Sequence, residues 1–277
     1  MSGLAELSQR FTRFKEISGI MTAMKSLSLV ETHKLARFIG HQRRMLANIQ
    51  AAAADFLHFY PVAATGEKQP TILLLIGSER GFCGNFNERV LGALEDLPQW
   101  ETPPTLLLVG HRLGTKLEAH PGVIARLDGA TVTEDVPTVL NRLMDALHAA
   151  SRQISGDGAV LYSLAHDADG APTRKRLLPL APPQPPLLSH PPRLQLAPAE
   201  FFAELLDQYL LAVLYGLLYE SLAAENRQRL AHMEHALDRL DESVAHLALK
   251  RNALRQEKIV EEIEVILSSE QAFAKEK

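Results

Sequence analysis

Apolar residues recur at helical spacing along the first sixty residues. Alternating steps of four and three positions from Leu7 lead to Tyr60, and eleven of the sixteen residues on this line are apolar. No proline occurs in residues 1–60, and Pro61 follows directly. The pattern predicts one long amphipathic helix that ends at Pro61 and extends for about 80 Å.

A second helical pattern covers residues 199–277, which contain no proline and one glycine, Gly216. Its apolar positions follow the same alternating steps, first through Leu230, Met233, Leu237, Leu240, Val244 and Leu247, and then, after a change of phase, through Ile259, Ile263 and Ile266. A long helix with a single apolar stripe needs a partner, so we expect these two helices to form an antiparallel coiled coil. Charge favours this pairing modestly, because residues 1–60 carry eight basic and four acidic residues (net +4), whereas residues 199–277 carry nine and fifteen (net -6).

The middle of the chain has a different pattern. Short apolar runs, "TILLLI", "TLLLV" and "GAVLYSL", alternate with the helical patterns "NERVLGALEDL" and "VPTVLNRLMDALHAASRQI". This alternation predicts an α/β domain with a mainly parallel sheet. A proline-rich segment, residues 177–198, is expected to be an extended connector, because proline is excluded from helix interiors and central strands.

These patterns together predict the fold class: an antiparallel coiled coil of long N- and C-terminal helices with an inserted α/β domain. The predicted domains are residues 1–60 for the first helix, 70–195 for the inserted domain ending in the connector, and 199–277 for the second helix.

Composition excludes several classes of protein. The net charge of -4 gives no general affinity for nucleic acid. A single cysteine cannot form an internal disulfide, which fits a reducing compartment. The longest apolar stretch, residues 209–219, is too short to span a bilayer, so no direct membrane insertion is expected and any link to a membrane would come through a partner.

The stretch "GSERGFCGNF", residues 77–86, follows an apolar run and raises the question of a phosphate site. The spacing of Gly77, Gly81 and Gly84 matches neither the P-loop nor the dinucleotide fingerprint, although an anion site at the following helix remains an alternative. The other interpretation is a tight structural turn formed by Gly77, Gly81, Cys83 and Gly84. No cofactor is expected.

No other cluster forms a convincing catalytic or metal site. Cys83 lacks a visible catalytic partner, so a buried structural thiol is favoured over a nucleophile. His232 and His235 alone are too few for a metal site, which favours a solvated helix face. The basic residues Lys34, Arg37, Arg43 and Arg44 lack interleaved aromatics, so a solvated face or an acidic protein partner is favoured over nucleic acid.

Four stretches resemble motifs of one known family, the gamma subunit of F-type ATP synthases. They are "GIMTAMKSL" (19–27), "GSERGFCGNFN" (77–87), "YGLLYESLAAENRQRLAHMEHA" (215–236) and "RNALRQEKIVEEIEVI" (251–266), and "VGHRLG" (109–114) is a weaker match between them. The resemblance covers essentially the whole chain. Gly19 and Thr22 replace the usual lysines, and Glu257-Lys258 replace small residues, which suggests a divergent bacterial lineage.

The resemblance implies a central rotor shaft that couples ion translocation through the membrane sector to ATP synthesis or hydrolysis on an alpha/beta hexamer. It implies that nucleotides bind to the alpha and beta subunits, so that this chain is not itself an enzyme and its glycine turn is structural. Arg255 and Gln256 match the family's Arg-Gln pair, which bonds a beta subunit, and Met24 and Lys25 lie in the other motif expected to bind that subunit. Further expected partners are the epsilon subunit and the membrane c-ring, at the cytoplasmic face of the bacterial inner membrane.

Two other classes of function stay open at this stage. An α/β enzyme using the Gly77–Gly84 turn would bind nucleotide tightly as an isolated chain. A generic coiled-coil scaffold would fail to assemble with alpha and beta subunits.

Overall fold

The computed structural model describes residues 2–61, 69–97, 102–153, 159–167, 169–180 and 190–275. Five helices, five strands and a short 3-10 turn, Thr133–Asp135, occur in these ranges. In chain order the helices and strands are α1 (Ser2–Phe59), β1 (Thr71–Ile76), α2 (Phe86–Glu95), β2 (Thr105–Val109), α3 (His111–Lys116), β3 (Val123–Leu127), α4 (Val136–Gln153), β4 (Val160–His166), β5 (Pro172–Leu178) and α5 (Pro198–Lys275).

The chain divides into two compact units. Unit 1 consists of Met1–Leu27 and Ala231–Lys277, and unit 2 consists of Ser28–Leu230. Both long helices, α1 and α5, contribute residues to each unit.

Unit 1 is an antiparallel pair of helices. Lys25 of α1 forms an ion pair with Glu234 of α5 at 2.9 Å, and the guanidinium of Arg251 lies 4.5 Å from the ring centre of Phe11. The residue number on α1 falls as that on α5 rises, so the two segments run in opposite directions. Met21 and Met233 are buried here, which confirms the coiled-coil seam predicted for this part of both helices.

Unit 2 contains the sheet, whose strands lie in the order β3-β2-β1-β4-β5. The pairs β1–β2, β1–β4 and β2–β3 are parallel, and β5 runs antiparallel to β4. The predicted mainly parallel sheet is therefore confirmed. The continuous apolar run of β1 reflects its central position, since all six of its residues are buried between helices on both faces.

Helices cover the two faces of the sheet with separate cores. On one face, α4 and parts of α1 and α5 pack against the strands, and on the other face α2 and α3 do so. The antiparallel arrangement of α1 and α5 continues in this unit, where Phe56 of α1 packs against Phe201 and Phe202 of α5. The predicted first-helix seam continues through Leu35, which is fully buried in the larger core.

The apolar stretch 209–219 of α5 also belongs to the larger core, where Leu214, Leu217 and Leu218 are buried. By length and composition alone α5 passes as a helix able to cross a membrane. Its apolar stretch is instead used to cover the sheet, which is the ordinary reason for such a run in a core helix.

The proline-rich segment, residues 177–198, was expected to be an extended connector, and the structure differs from this expectation at its start. Its first two residues, Leu177 and Leu178, complete β5. This strand lies at the edge of the sheet, where neighbouring prolines are tolerated because one side of the strand needs no ladder partner. Residues 181–189, the centre of the segment, lie outside the described residues.

Candidate functional site

The glycine turn, which we define as residues 77–85 between β1 and α2, has a backbone that excludes most side chains. A Cβ at Gly77 would lie 2.4 Å from Cβ of Leu113 and 2.6 Å from Oδ1 of Asn87, so α3 and α2 could not pack as they do. Gly84 has a φ of +55°, a left-handed conformation that glycine adopts without strain. Phe82, with a φ of +64°, adopts the same conformation without that advantage.

The crevice beside the carboxyl ends of β1 and β4 is where an open α/β sheet ordinarily binds its ligand, because the strand order reverses there. Side chains of this chain occupy it. The backbone N–H of Ser78 donates to Oδ1 of Asn87 at 2.9 Å, and Nδ2 of Asn87 donates to the Ser78 hydroxyl oxygen at 2.8 Å. The ring of Phe86 stacks on His166 with centres 3.8 Å apart. The crevice is closed by its own residues.

The turn nevertheless binds an anion, and that anion is the carboxylate of Glu225 from α5. The backbone N–H groups of Glu79 and Arg80 donate to the two carboxylate oxygens at 3.2 and 3.3 Å. Glu225 is only 4% exposed. Successive backbone N–H groups in a turn form the kind of concavity that holds phosphates in other proteins. Here the site is filled from within the chain.

Arg229, one turn further along α5, neutralises this buried carboxylate. Its Nη2 forms a short charge-assisted hydrogen bond with Glu225, and its Nη1 donates to Oδ1 of Asn226 at 2.9 Å. Its Nε donates to the carbonyl oxygen of Gly81 at 3.3 Å, so the guanidinium contacts the glycine turn directly. Burial is the largest influence on the pKa of Glu225 and raises it, whereas Arg229 and the two N–H donors act in the opposite direction.

Cys83 completes this cluster, which we call the turn clamp: Glu79 to Cys83 together with Glu225, Asn226 and Arg229. The thiol is buried, with Sγ 3.4 Å from Nη2 of Arg229 and 3.3 Å from the carbonyl oxygen of Gly81. Burial, and then the negative charge of Glu225, raise the pKa of Cys83 to about 12. The thiol is therefore protonated at neutral pH, the form that does not act as a nucleophile.

The glycine turn is also fixed from its other side. The carboxylate of Glu79 accepts hydrogen bonds from the backbone N–H groups of His111, at 2.9 Å, and Gly129, at 2.6 Å. His111 begins α3, and Gly129 follows β3. One glutamate therefore ties the turn to the loops after β2 and β3, while Glu225 ties it to α5.

The residues expected to bind a partner lie in unit 1, at two separate places. Lys25 is already paired with Glu234, and Met24 beside it is half-buried. Arg255 and Gln256 are exposed, and neither forms a hydrogen bond or ion pair with any other described residue. Glu262, an acidic residue further along the same helix, is paired with Lys258 at 3.7 Å.

The two places are far apart along the coiled coil. Residue 255 lies twenty-one positions beyond Glu234, the partner of Lys25. At a rise of 1.5 Å per residue this is about 32 Å, so these residues form two contacts and not one site. The apolar residues after the Arg-Gln pair, Ile259, Ile263 and Ile266, are 47%, 50% and 60% exposed.

Sequence reasoning missed Glu225 and Arg229 as site residues. Both lie inside a stretch that matched a family motif, but their partners are about 145 residues earlier in the chain. A usable signal was present: an acidic and a basic residue at i and i+4 directly after the buried apolar run of α5. His232 and His235 are exposed, as expected of a solvated helix face. Within the described ranges no group of three or more potential metal ligands occurs.

The fold and these contacts define a class of protein: a coiled-coil subunit with an inserted, mainly parallel α/β unit whose ligand-binding crevice is closed. The sequence profile of the family described as "ATP synthase" matches residues 3–273. The "ATP synthase gamma chain" of Pelotomaculum thermopropionicum is 24% identical, with 99% of this chain and all of that protein covered. That of Rubrobacter xylanophilus is 25% identical, with 99% of each covered. The chain belongs to the gamma-chain family of F-type ATP synthases and is a central-stalk subunit.

Solved structures share this fold at low sequence identity. In the rotor of the Euglena gracilis mitochondrial ATP synthase in rotational state 1, the matching chain has a TM-score of 0.63 and 14% identity, covering 92% of this chain and 98% of that one. In the OSCP/F1/c-ring structure of the same enzyme in rotational state 3, the values are 0.64 and 14%, with 98% and 94% covered.

Proposed function

We propose that this chain is the non-catalytic shaft that couples ion translocation through the membrane sector to ATP synthesis or hydrolysis on an alpha/beta hexamer. The observation that carries this proposal is the surface of α5 in unit 1. There Arg255 and Gln256 have no internal partner among the described residues, and three isoleucines beyond them are about half exposed. A helix with such a surface is suited to contacts with other subunits.

The turn clamp supports the non-catalytic part of the proposal. The two N–H groups that would cradle a phosphate already bind Glu225, and Asn87, Phe86 and His166 fill the crevice beside them. A nucleotide would have to displace a buried, paired carboxylate to bind here. The chemistry is accordingly assigned to sites on partner subunits.

Arg255 and Gln256 are proposed to bind one beta subunit, with Met24 and Lys25 as a second contact about 32 Å away along the coiled coil. A guanidinium presents a rigid fork of donors to a carboxylate, and an amide offers both a donor and an acceptor. Such contacts can form and break during each turn without a large apolar surface being dehydrated and rehydrated. Each orientation of the shaft would favour a different beta-subunit conformation, which couples rotation to nucleotide affinity.

The remaining proposed partners are the alpha subunits, the epsilon subunit and the c-ring, and the proposed location is the cytoplasmic face of a bacterial inner membrane. The gamma-chain relatives reported above come from bacteria, which supports the location. The Euglena gracilis chain in rotational state 3 belongs to a structure that contains F1 and a c-ring, which supports the partners.

The proposal is tested by reconstitution. Purified alpha and beta subunits are assayed for sustained ATP hydrolysis with and without this chain, and the chain alone is assayed as a control. We expect little sustained turnover without the chain and much more with it. Hydrolysis or tight nucleotide binding by the chain alone would favour an α/β enzyme, and failure to assemble with alpha and beta would favour a generic scaffold.

A further inference from the structure

Strand β5 of unit 2 has an edge that no described strand pairs with. It is the last strand of the sheet, so its outer side has no strand partner among the described residues. Three consecutive residues of this strand are basic and exposed: Arg174, Lys175 and Arg176. An open edge offers a row of backbone N–H and C=O groups to which an extended segment can add as a further strand.

A cleft of about 350 Å³ lies beside this edge, between β5, α1 and α5. Its apolar lining consists of Ile39, Leu46, Leu177, Tyr209, Val213 and Leu217. Gly216 forms part of the wall, and no heavy atom of the described residues lies within 4 Å of the position that its Cβ would take, so they leave the space in front of it open. The cleft has room for one or two apolar side chains.

The cleft also contains an unused hydrogen-bond acceptor. The side-chain oxygen of Gln42 is buried and has no hydrogen-bond partner among the described residues.

The charges around the cleft favour a negatively charged occupant. Arg43 and Lys175 face one carboxylate, Glu220, and the neighbouring Arg176 points to the opposite face of β5, so three positive charges and one negative leave a net charge of +2 along this edge. Glu220 is shared, because its oxygens lie 2.8 Å from Nη2 of Arg43 and 3.6 Å from Nζ of Lys175. A second copy of this chain would bring an equally basic β5 to the edge and would be repelled. An acidic segment would be attracted.

We propose that β5 and this cleft form a docking site for an acidic, extended segment of a partner subunit. The segment adds to the open edge of β5, places an apolar side chain in front of Gly216, and directs its carboxylates to Lys175 and Arg176. This inference rests on the proposed function of the chain as a subunit of a larger assembly. It adds a contact in unit 2 that is independent of the beta-subunit contacts proposed in unit 1.

Two variants test the site, each with a matched control. Gly216→Leu fills the cleft, and since leucine is a better helix former than glycine the helix itself should not be weakened. Its control is Gly92→Leu on α2, another helical glycine with empty space before it. Arg176→Glu reverses a charge at the rim, and its control is Arg89→Glu, an exposed arginine on α2. Because Arg176 is exposed, this second variant keeps the test valid should Gly216→Leu fail to fold.

The measurement uses the assembled complex isolated from cells that have each variant as their only gamma chain. A photo-reactive benzoylphenylalanine replaces Gln50, an exposed residue of the cleft wall, and the cross-linked peptide is identified by mass spectrometry. We expect an acidic segment of another subunit to be labelled. Each site variant should lower the yield about tenfold, equivalent to about 1.4 kcal/mol, while the controls keep the wild-type yield.

The outcomes separate this inference from the function on which it rests. An intact, ATP-hydrolysing complex in which the label at position 50 reaches no partner, a basic segment or a second copy of this chain would overturn the docking site alone. An unchanged yield in a folded Arg176→Glu variant would do the same. If no complex with alpha and beta subunits can be isolated at all, the proposed function and the docking site both fail.

Discussion

Replacement of Arg229 by methionine should destabilise unit 2 strongly. Arg229 is 5% exposed, and the substitution keeps an unbranched side chain in place but removes the guanidinium that bonds to Glu225, Asn226 and Gly81. The carboxylate of Glu225 would then be buried with two backbone N–H donors and the weak donor of the Cys83 thiol. Breaking a buried ion pair by removing one partner costs about 3–5 kcal/mol, and we expect the free energy of unfolding of this unit to fall by that amount.

Hydrogen exchange of the intact chain measures this effect locally. The amides of β1 lie in the centre of the sheet, so their slowest exchange reports the opening of unit 2. A loss of about 3–5 kcal/mol should accelerate this exchange by roughly a hundred- to several-thousand-fold. Arg239→Met, at an exposed position of the same helix, is the control and should change the stability by no more than about 0.5 kcal/mol.

A double variant tests whether the unpaired carboxylate of Glu225 causes the loss of stability. Adding Glu225→Gln to Arg229→Met removes the uncompensated charge, so the double variant should be more stable than Arg229→Met alone. If Arg229→Met stays within about 1 kcal/mol of the wild type, or if the second substitution restores nothing, the carboxylate of Glu225 is not the buried anion that this argument requires.

Three further predictions concern other residues. The pKa of Cys83 is raised to about 12, so the folded state keeps a proton that the unfolded state loses near pH 9. The free energy of unfolding should therefore fall by up to about 1.4 kcal/mol per pH unit between pH 9 and 12. Urea titrations of wild type and Cys83→Ala should show whether this slope disappears with the thiol. Hydrogen bonds from Thr131 lower the pKa of Asp135 in the folded state. The stabilisation by Asp135 is therefore present above the unfolded pKa and is lost as the pH falls through the lower folded pKa. In thermal melts over this acidic range, Asp135→Asn should lose less stability than wild type. The Arg255→Ala, Gln256→Ala double variant should keep the helicity of this chain but weaken its contact with the beta subunit by about 1.5–3 kcal/mol, and wild-type assembly and ATPase rate in that variant would rule the contact out.

The long helices could be predicted because their patterns are simple and extend over many turns. Every residue on the line from Leu7 to Tyr60 is buried or half-buried, including the polar ones such as Ser28 and Lys25. Position on the helix, and not residue type, decides which side chains face the partner helix. The stripe after residue 255 differs, since Ile259, Ile263 and Ile266 remain exposed.

The sheet could be predicted only where its strands are mostly buried. β1, β2 and β4 are apolar runs because helices cover both their faces, whereas β3 alternates between exposed and half-buried residues over five positions. β5 was hidden by its sequence, "PTRKRLL", because an edge strand can carry three consecutive charges. Charged residues on an edge strand discourage its pairing with other chains, but they also remove the apolar pattern by which the strand would be predicted from the sequence.

The glycine turn could be predicted as a structural feature, but not its partner. Glycine spacing excluded two phosphate motifs, and that argument needed only local residues. The identity of the bound anion depended on Glu225, which is brought to the turn by the packing of α5 against the sheet. The i and i+4 spacing marks Glu225 and Arg229 as a pair, but no local pattern indicates that the glycine turn is what they contact.

The composition of the larger core has a consequence for synthesis of the chain. Leu214, Leu218 and Leu222 of α5 cover one face of a sheet whose last strand ends at residue 178. The ribosome must therefore add at least forty-four more residues after β5 before the most distal of these leucines exists. At about 5–20 residues per second this leaves the apolar face of the sheet without part of its cover for roughly two to nine seconds. During that interval the nascent chain presents an apolar surface to chaperones and to its neighbours on the polysome, and expression at lower translation rates should lengthen that exposure.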